Sequence, residues 1–470
     1  MGAADLARRL RARQLSPREA VQDYLDRIEA LDPALNSYVT VLGDEALARA
    51  DALERSGPPG ADSPLWGVPI ALKDVIDVAG VPTTAGSRVL GRENVPRADA
   101  DVVERLHAAG AVIVGKLNTH EFAYGAMTTS PFPGPAHNPW DLDRICGGSS
   151  GGSGACAVAD LAAGTLGTDT AGSIRIPSCF NGVTGVRPSW GRVSNRGVVP
   201  VAWLFDTVGP IARSAEDCAL ILQVIAGHDP GDPTTEAAPV PAYVDELGRG
   251  VAGLRIGVVR ALFESELLDP RIGVALEGAL AELRSAGAVL VDVAIDGLEH
   301  FGAIQQAMQF VEAATVHREW LRERLPDYGE DVRARLLTGL FLPPTAYVLG
   351  QRGRRLAHEA FRRTMDGVDL LAAPTLPVLP PRIGEDTVEL GGGERILYRL
   401  TLIPYNSPWS CVGAPVVSVP AGFVAGLPVG LALVGPRFGE SVALRAAHAY
   451  QQLTDWHERR PALATSGAAA

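Results

Sequence analysis

Apolar side chains recur at helical spacing near the start of the chain, where Ala20, Val21, Tyr24, Leu25, Ile28 and Leu31 share one face. Just before them, Ser16-Pro17-Arg18-Glu19 reads as a capping box with proline in the first helical turn. Together these predict an amphipathic helix over 17–31, and similar spacing predicts another over 44–55. Trp66–Leu72 is instead a short continuous apolar run, the pattern of a strand buried on both faces, and it ends at Lys73. A helix over 98–109 and a strand over 111–115 follow. An alanine-rich helix is expected over 155–163, directly after the glycine- and serine-rich stretch 147–154. From Leu254 onward a strand (LRIGVV), a helix over 272–285 and a second strand (AVLVDVAI) alternate. Strand patterns return at 370–380, 414–420 and 428–434. Residues 301–363 are helical in pattern and poor in strand signals, which suits an insertion covering an active site. Residues 229–247, rich in Pro, Asp and Thr, read as a surface excursion. Alternating strands and helices predict the α/β class, a sheet with helices on its faces.

Composition narrows the classes of function. Apolar residues are 47% and charged residues 20% of the 470, enough for a large core. A formal charge of -12 argues against a nucleic-acid partner, because phosphate binding needs a concentrated basic face. The short basic run Arg352–Arg355 is read as a solvated helix face. Five cysteines, an odd number with no CxxC pair, fit neither a disulfide framework nor a zinc site. The N-terminal stretch lacks the apolar core of a signal peptide, and Leu6 stands where a myristoylation motif needs Ser or Thr. No apolar run reaches membrane-spanning length, so no membrane span is expected and the location is read as cytoplasmic; no metal or cofactor is expected either.

The Gly/Ser stretch at 147–154 admits several chemistries. A flexible linker is disfavoured by the patterned apolar segments on both sides. A phosphate loop would need the GK[ST] ending, which is absent. Gly147-Gly148-Ser149-Ser150-Gly151 satisfies the G-x-S-x-G nucleophile elbow, but the histidines available to complete a triad fall mostly within helical patterns. The remaining reading joins distant pieces: Lys73 at a strand end, Ser149 in CGGSSGGSG and Ser173 in LGTDTAGSIRIPS. A lysine at a buried strand end calls for a partner or a task, because an unpaired ammonium is costly there. Taken alone, Lys73 reads as a surface ion pair with Asp74 or Asp77.

These segments resemble the amidase signature family, and the resemblance runs from about Leu6 to Pro461. It also rests on GKLNT at 115–119, NPWD at 138–141, GVRPSWGRVS at 185–194, DTVGP at 206–210 and GLPVGLALVG at 426–435. The resemblance implies a single amidase signature domain over 1–463, with its core at about 62–215; the last residues, ATSGAAA at 464–470, read by composition as a loose tail. It implies a large, mixed, mostly parallel central sheet with helices on both faces. Ser173 matches the nucleophile, Ser149 the bridging serine after a cis peptide, and Lys73 the general base. The backbone N–H groups of Thr170, Ala171, Gly172 and Ser173 match the oxyanion hole. Ser150, Asp169 and Arg175 match supporting positions, and Tyr124, Gly125 and Ala126 match a stretch near the acyl pocket. The chain departs from the family in Ala171, where a second glycine is usual, in Cys146, where proline is usual, and in Trp409-Ser410-Cys411.

The chemistry of these roles is coherent. A serine hydroxyl needs a nearby base, and lysine serves only when burial keeps its amine neutral. Leu402 or Ile403 falls where the glutamine-hydrolysing branch carries an acid for the substrate ammonium. The expectation is therefore a stand-alone amidase, its partners a small amide-type substrate and a second copy as a homodimer. Phe132, Trp203, Phe310, Phe341 and Trp409 are candidates for an apolar cleft. The alternative is the glutamine-hydrolysing component of a tRNA-dependent amidotransferase, or another partner-dependent amidase subunit.

Overall fold

A computed structural model describes residues 1–57, 63–390 and 393–466. The last residues of the expected tail, 467–470, lie outside the described residues, and a short helix, Ala462–Ser466, ends the described chain. Eleven strands form one sheet. In chain order they are β1 (Tyr38–Val41), β2 (Pro69–Lys73), β3 (Val112–Leu117), β4 (Gly164–Asp169), β5 (Thr184–Arg187), β6 (Thr207–Ala212), β7 (Arg255–Val259), β8 (Val289–Val293), β9 (Leu370–Pro374), β10 (Val416–Val424) and β11 (Leu427–Val434). Across the sheet they run β1-β3-β2-β4-β6-β5-β10-β11-β9-β7-β8.

The sheet is mixed. Parallel pairs make up the two flanks, β3-β2-β4 and β9-β7-β8, while the centre and the β1 edge are antiparallel. Among the described residues four neighbouring pairs of this sheet are parallel and six, mostly at its centre, are antiparallel. The reason is local: β10 and β11 are joined by the tight turn at Ala425-Gly426, and a connection that short cannot make the crossover a parallel pair needs. Every residue of β2, β3, β4, β6, β9 and β11 is buried. Successive side chains point to opposite faces, so helices and loops cover this sheet on both sides. The helix Arg175–Asn181 packs on β10 and β11, and Pro270–Ser285 and Glu440–Leu453 pack on the same two strands.

The expected helix at 17–31 runs Pro17–Leu35, with both bonds of the Ser16/Glu19 capping box formed. The alanine-rich helix begins earlier than expected, inside the Gly/Ser stretch, as Gly151–Val158. Glycine is required there by close approach: a Cβ on Gly152 would lie 2.5 Å from the Asn118 carbonyl oxygen and 2.6 Å from that of Ser37. The segment expected to be helical holds Leu298–Val316, Arg318–Glu323, Glu330–Phe341 and Pro344–Met365. Among the described residues no helix is long and apolar enough to cross a membrane.

Candidate active site

Strands β2 and β4 lie side by side in parallel, with Leu72 opposite Leu166, so their C-terminal ends meet. Lys73 ends one and Thr168-Asp169 end the other, which is the edge of an α/β sheet where ligand sites form. The Gly148–Ser149 peptide is cis, and Ser149 enters the same space from the turn before Gly151–Val158. Its carbonyl oxygen accepts from the His120 N–H at 3.0 Å and the Thr119 hydroxyl at 3.0 Å. Lys73 Nζ lies 2.6 Å from Ser149 Oγ and 2.8 Å from Thr168 Oγ1. Among the described residues no carboxylate lies within ion-pair distance of Lys73; Asp74 pairs instead with Lys116, at 3.1 Å. Burial drives the Lys73 amine down to about 7, against the pull of Asp169 and Asp206 toward the charged form. The surface ion pair that Lys73 suggested on its own is therefore not what forms.

Ser173 lies in the turn after β4. It is 8% exposed, against 0% for Lys73 and Ser149, and its side chain borders a cavity of about 520 Å3. The Ser149 and Ser173 segments are tied by the Ser150 N–H, which donates to the Ser173 carbonyl at 3.2 Å. Ser150 Oγ also donates to the Thr168 carbonyl at 3.2 Å, so this one residue links both turns and the end of β4. No hydrogen bond joins the Ser149 and Ser173 hydroxyls among the described residues.

Asp169 organises the turn. Its carboxylate accepts two bonds from Arg175, at 2.9 Å each, one from Arg187 at 3.1 Å, and the N–H groups of Gly172 at 2.8 Å and Ile174 at 3.1 Å. Burial pushes this carboxyl up, but Arg175 and Arg187 prevail and hold it well below the usual carboxylate range. Arg175 continues to the Asn406 carbonyl and the Ser410 hydroxyl, each at 2.9 Å, anchoring the turn to the helix Tyr398–Cys411. Ser410, one of the departures from the family pattern, thereby acquires a partner. The oxyanion-hole expectation is narrowed: the Gly172 N–H is committed to Asp169, whereas among the described residues no acceptor takes the N–H groups of Thr170, Ala171 or Ser173. Gly172 itself has φ +123, and a Cβ there would meet Asn406 and Ile176 at 2.9 Å. Gly172→Ala is therefore expected to destabilise the fold by about 1–3 kcal/mol, read by thermal unfolding, whereas Ala171→Gly is expected to change it little.

Tyr124, Gly125 and Ala126 line the cavity, as do Leu402 and Ile403. One wall comes from the helical segment, with Gln309, Phe310, Asp331 and Arg335. Of the five aromatic candidates only Phe310 is there. Trp409 is packed in the core, Phe341 is 85% exposed, Trp203 borders a different cavity, and Phe132 lines neither. Aromatic identity alone carried no information on which face each would take. His120 and Asp331, 3.1 Å apart at the cavity wall, carried no sequence signal and were missed. Cys146 is buried, and burial pushes its thiol up, so it stays protonated. Among the described residues no cluster of three or more His, Cys, Asp or Glu side chains is arranged to hold a metal.

A family model described as Amidase matches residues 19–444. The A subunit of the Methylococcus capsulatus glutamyl-tRNA(Gln) amidotransferase is 40% identical, in a match covering 98% of this chain and 98% of its own. A solved structure of a vestigial protein complex, described as revealing the origins of an s-triazine catabolic enzyme, superimposes with TM-score 0.90 at 35% identity. That match covers 96% of this chain and 98% of the other. The A subunit of the Thermotoga maritima glutamyl-tRNA(Gln) amidotransferase superimposes with TM-score 0.77 at 32% identity, over 92% and 90% of the two chains.

These likenesses correct the expectation about partners. A chain whose partners are only a small amide and a second copy of itself does not match relatives named as one subunit of an amidotransferase. That expectation rested on apolar Leu402 or Ile403 standing where an acid was looked for, and side chains lining a substrate cavity hold no information on docking surfaces. Fold, site and full-length likeness agree that this chain belongs to the amidase signature family, as an enzyme that hydrolyses carbon–nitrogen bonds.

Proposed function

We propose that this chain is the amide-hydrolysing subunit of a multi-subunit enzyme of the glutamyl-tRNA(Gln) amidotransferase kind, with glutamine as the amide. One observation carries the chemistry: a buried Lys73 amine, near neutrality at physiological pH, 2.6 Å from Ser149 Oγ and beside the cavity that Ser173 borders. In this reading Ser173 Oγ attacks the amide carbonyl after rotating toward Ser149, which takes its proton and passes its own to Lys73. Catalytic hydrogen bonds of this kind tighten when substrate binds. The oxyanion is met by the free N–H groups of Thr170, Ala171 and Ser173. The proton returns through Ser149 to the leaving nitrogen, ammonia departs, and water then attacks the Ser173 ester by the same route in reverse.

The full-length likeness to the A subunits of amidotransferases supports the partner-dependent part of the reading. Charge in the cavity supports the substrate: Asp386 and Arg399 line it beside Asp331, which pairs with Arg335 and His120, so both signs that a zwitterionic amino acid needs are present. The apolar Leu402 and Ile403 then contact the substrate stem, leaving its ammonium to the carboxylates. The test is ammonia release from glutamine by the purified chain, alone and with companion subunits from the same organism. The reading predicts a rise of about tenfold or more on adding the companions, absent in Ser173→Ala. Rapid turnover of other amides, indifferent to any companion, contradicts it.

A further inference from the structure

The reaction just outlined leaves Asp206 without a task, yet its carboxylate sits directly behind the Thr170 turn. One oxygen accepts from the Thr170 hydroxyl at 2.6 Å, and the other from the N–H groups of Val201 at 2.8 Å and Ala202 at 2.9 Å. Thr170 in turn begins the turn in which Thr170, Ala171 and Ser173, the three residues with free N–H groups, line the cavity. On its other side Asp206 borders a second cavity, of about 260 Å3, with Arg196, Trp203 and Asp232 among its lining residues. We propose that Asp206 is a positioning residue for amide hydrolysis: it fixes the Thr170 turn through that hydroxyl and supplies a negative charge, with no cation in ion-pair contact among the described residues, that acts on Lys73. The inference rests on the roles given above to Lys73 and Ser173.

Two buried carboxylates, Asp169 and Asp206, act on Lys73, and they differ in their partners. Asp206 has Lys73, Arg187 and Glu312 as its charged neighbours. Asp169 is held by two guanidiniums in contact, Arg175 and Arg187, and its charge, like that of Asp206, favours the protonated form of Lys73. Among the described residues no cation lies within ion-pair distance of Asp206; its bonds come from a hydroxyl and two amides. Burial raises this carboxyl to about 6, so it is still ionised at neutral pH, where it favours the protonated form of Lys73. Removing that charge makes Lys73 easier to deprotonate, so the base becomes available at lower pH.

Two kinds of variant separate the two tasks. Thr170→Val removes the hydroxyl and keeps the Asp206 charge, while Thr170→Ser restores the hydroxyl; Asp206→Asn removes the charge and keeps the shape. Steady-state kinetics on the amide turned over by the wild type are measured across pH for each. Thr170→Val is expected to lower kcat about 10- to 100-fold with KM changed by less than about twofold and the acid limb in place, and Thr170→Ser to recover most of the loss. Asp206→Asn is expected to move the acid limb down by about half a pH unit. A profile for Asp206→Asn that superimposes on the wild type, or wild-type kcat in Thr170→Val, overturns the proposal. Should Asp206→Asn not fold, the Thr170 pair decides, because a Ser variant no better than Val also overturns it. Lys73→Ala and Ser173→Ala serve as controls: turnover retained in either removes the underlying functional reading, whatever the Asp206 variants do.

Discussion

Replacing Lys73 by methionine is expected to lower kcat by roughly ten-thousandfold to a millionfold while making the folded protein more stable below pH 7. The first half follows from its place, among the described residues, as the base within reach of Ser149. Members of such a relay act as a unit, so the double variant Lys73→Met/Ser173→Ala should be hardly worse than either single one. The second half follows from burial. The folded-state amine titrates near 7, below the ordinary lysine value of 10.5, so between these values the unfolded chain binds more protons than the folded one. Stability from this group therefore rises with pH across that window. Its cost is greatest below 7 and vanishes above the ordinary lysine value. Methionine fills similar space without the cost, giving a gain of several kcal/mol at pH 6 that disappears near pH 10. Denaturant unfolding of both proteins at the two pH values checks this. A variant less stable than wild type at pH 6 contradicts the buried neutral amine.

Asp169→Ala carries the second large effect, this time on the fold. The carboxylate accepts from Arg175, Arg187 and two backbone N–H groups, all buried. Its removal leaves two guanidiniums out of water without their counter-charge, a loss of about 3–5 kcal/mol for a broken buried pair. The sign with pH follows from the depressed carboxyl. Its contribution is fully present above the ordinary aspartate value of 3.8 and is lost as pH falls through the lower folded-state value. The destabilisation should thus be constant from pH 5 to 8 and shrink only in strong acid, as measured by chemical unfolding. Loss of less than about 1 kcal/mol indicates that Arg175 and Arg187 find other acceptors.

Much of this was legible in the sequence, for reasons that differ by element. The capping box at Ser16 and the apolar stripe behind it are local signals, and the helix formed where they pointed. Trp66–Leu72 announced a buried strand because both of its faces are apolar, though its first residues form a turn. The strand Gly164–Asp169 gave no such sign: GTLGTD is rich in glycine and threonine, and its burial is set by neighbours far away in sequence. The helix Tyr398–Cys411, which receives Arg175, was hidden by Pro404 and Pro408 inside it. At the site, spacing alone did not bring Lys73, Ser149 and Ser173 together; the family resemblance did, and the β2–β4 pairing supplies the physical reason. The Asp74–Lys116 pair and the Asp206–Thr170 bond were invisible because each joins segments that meet only in the fold. The partner dependence proposed above has no residue among the site motifs to announce it.

The most direct test of the account is the pH dependence of Ser173 labelling by a fluorophosphonate, followed by mass spectrometry of the modified peptide. Phosphonylation needs the same deprotonated relay as amide attack but requires neither companion chains nor a particular substrate. The labelling rate is expected to rise with pH through a midpoint of about 7 and to collapse in Lys73→Met at every pH. Labelling of Ser173 that proceeds equally well with methionine at position 73 would contradict it.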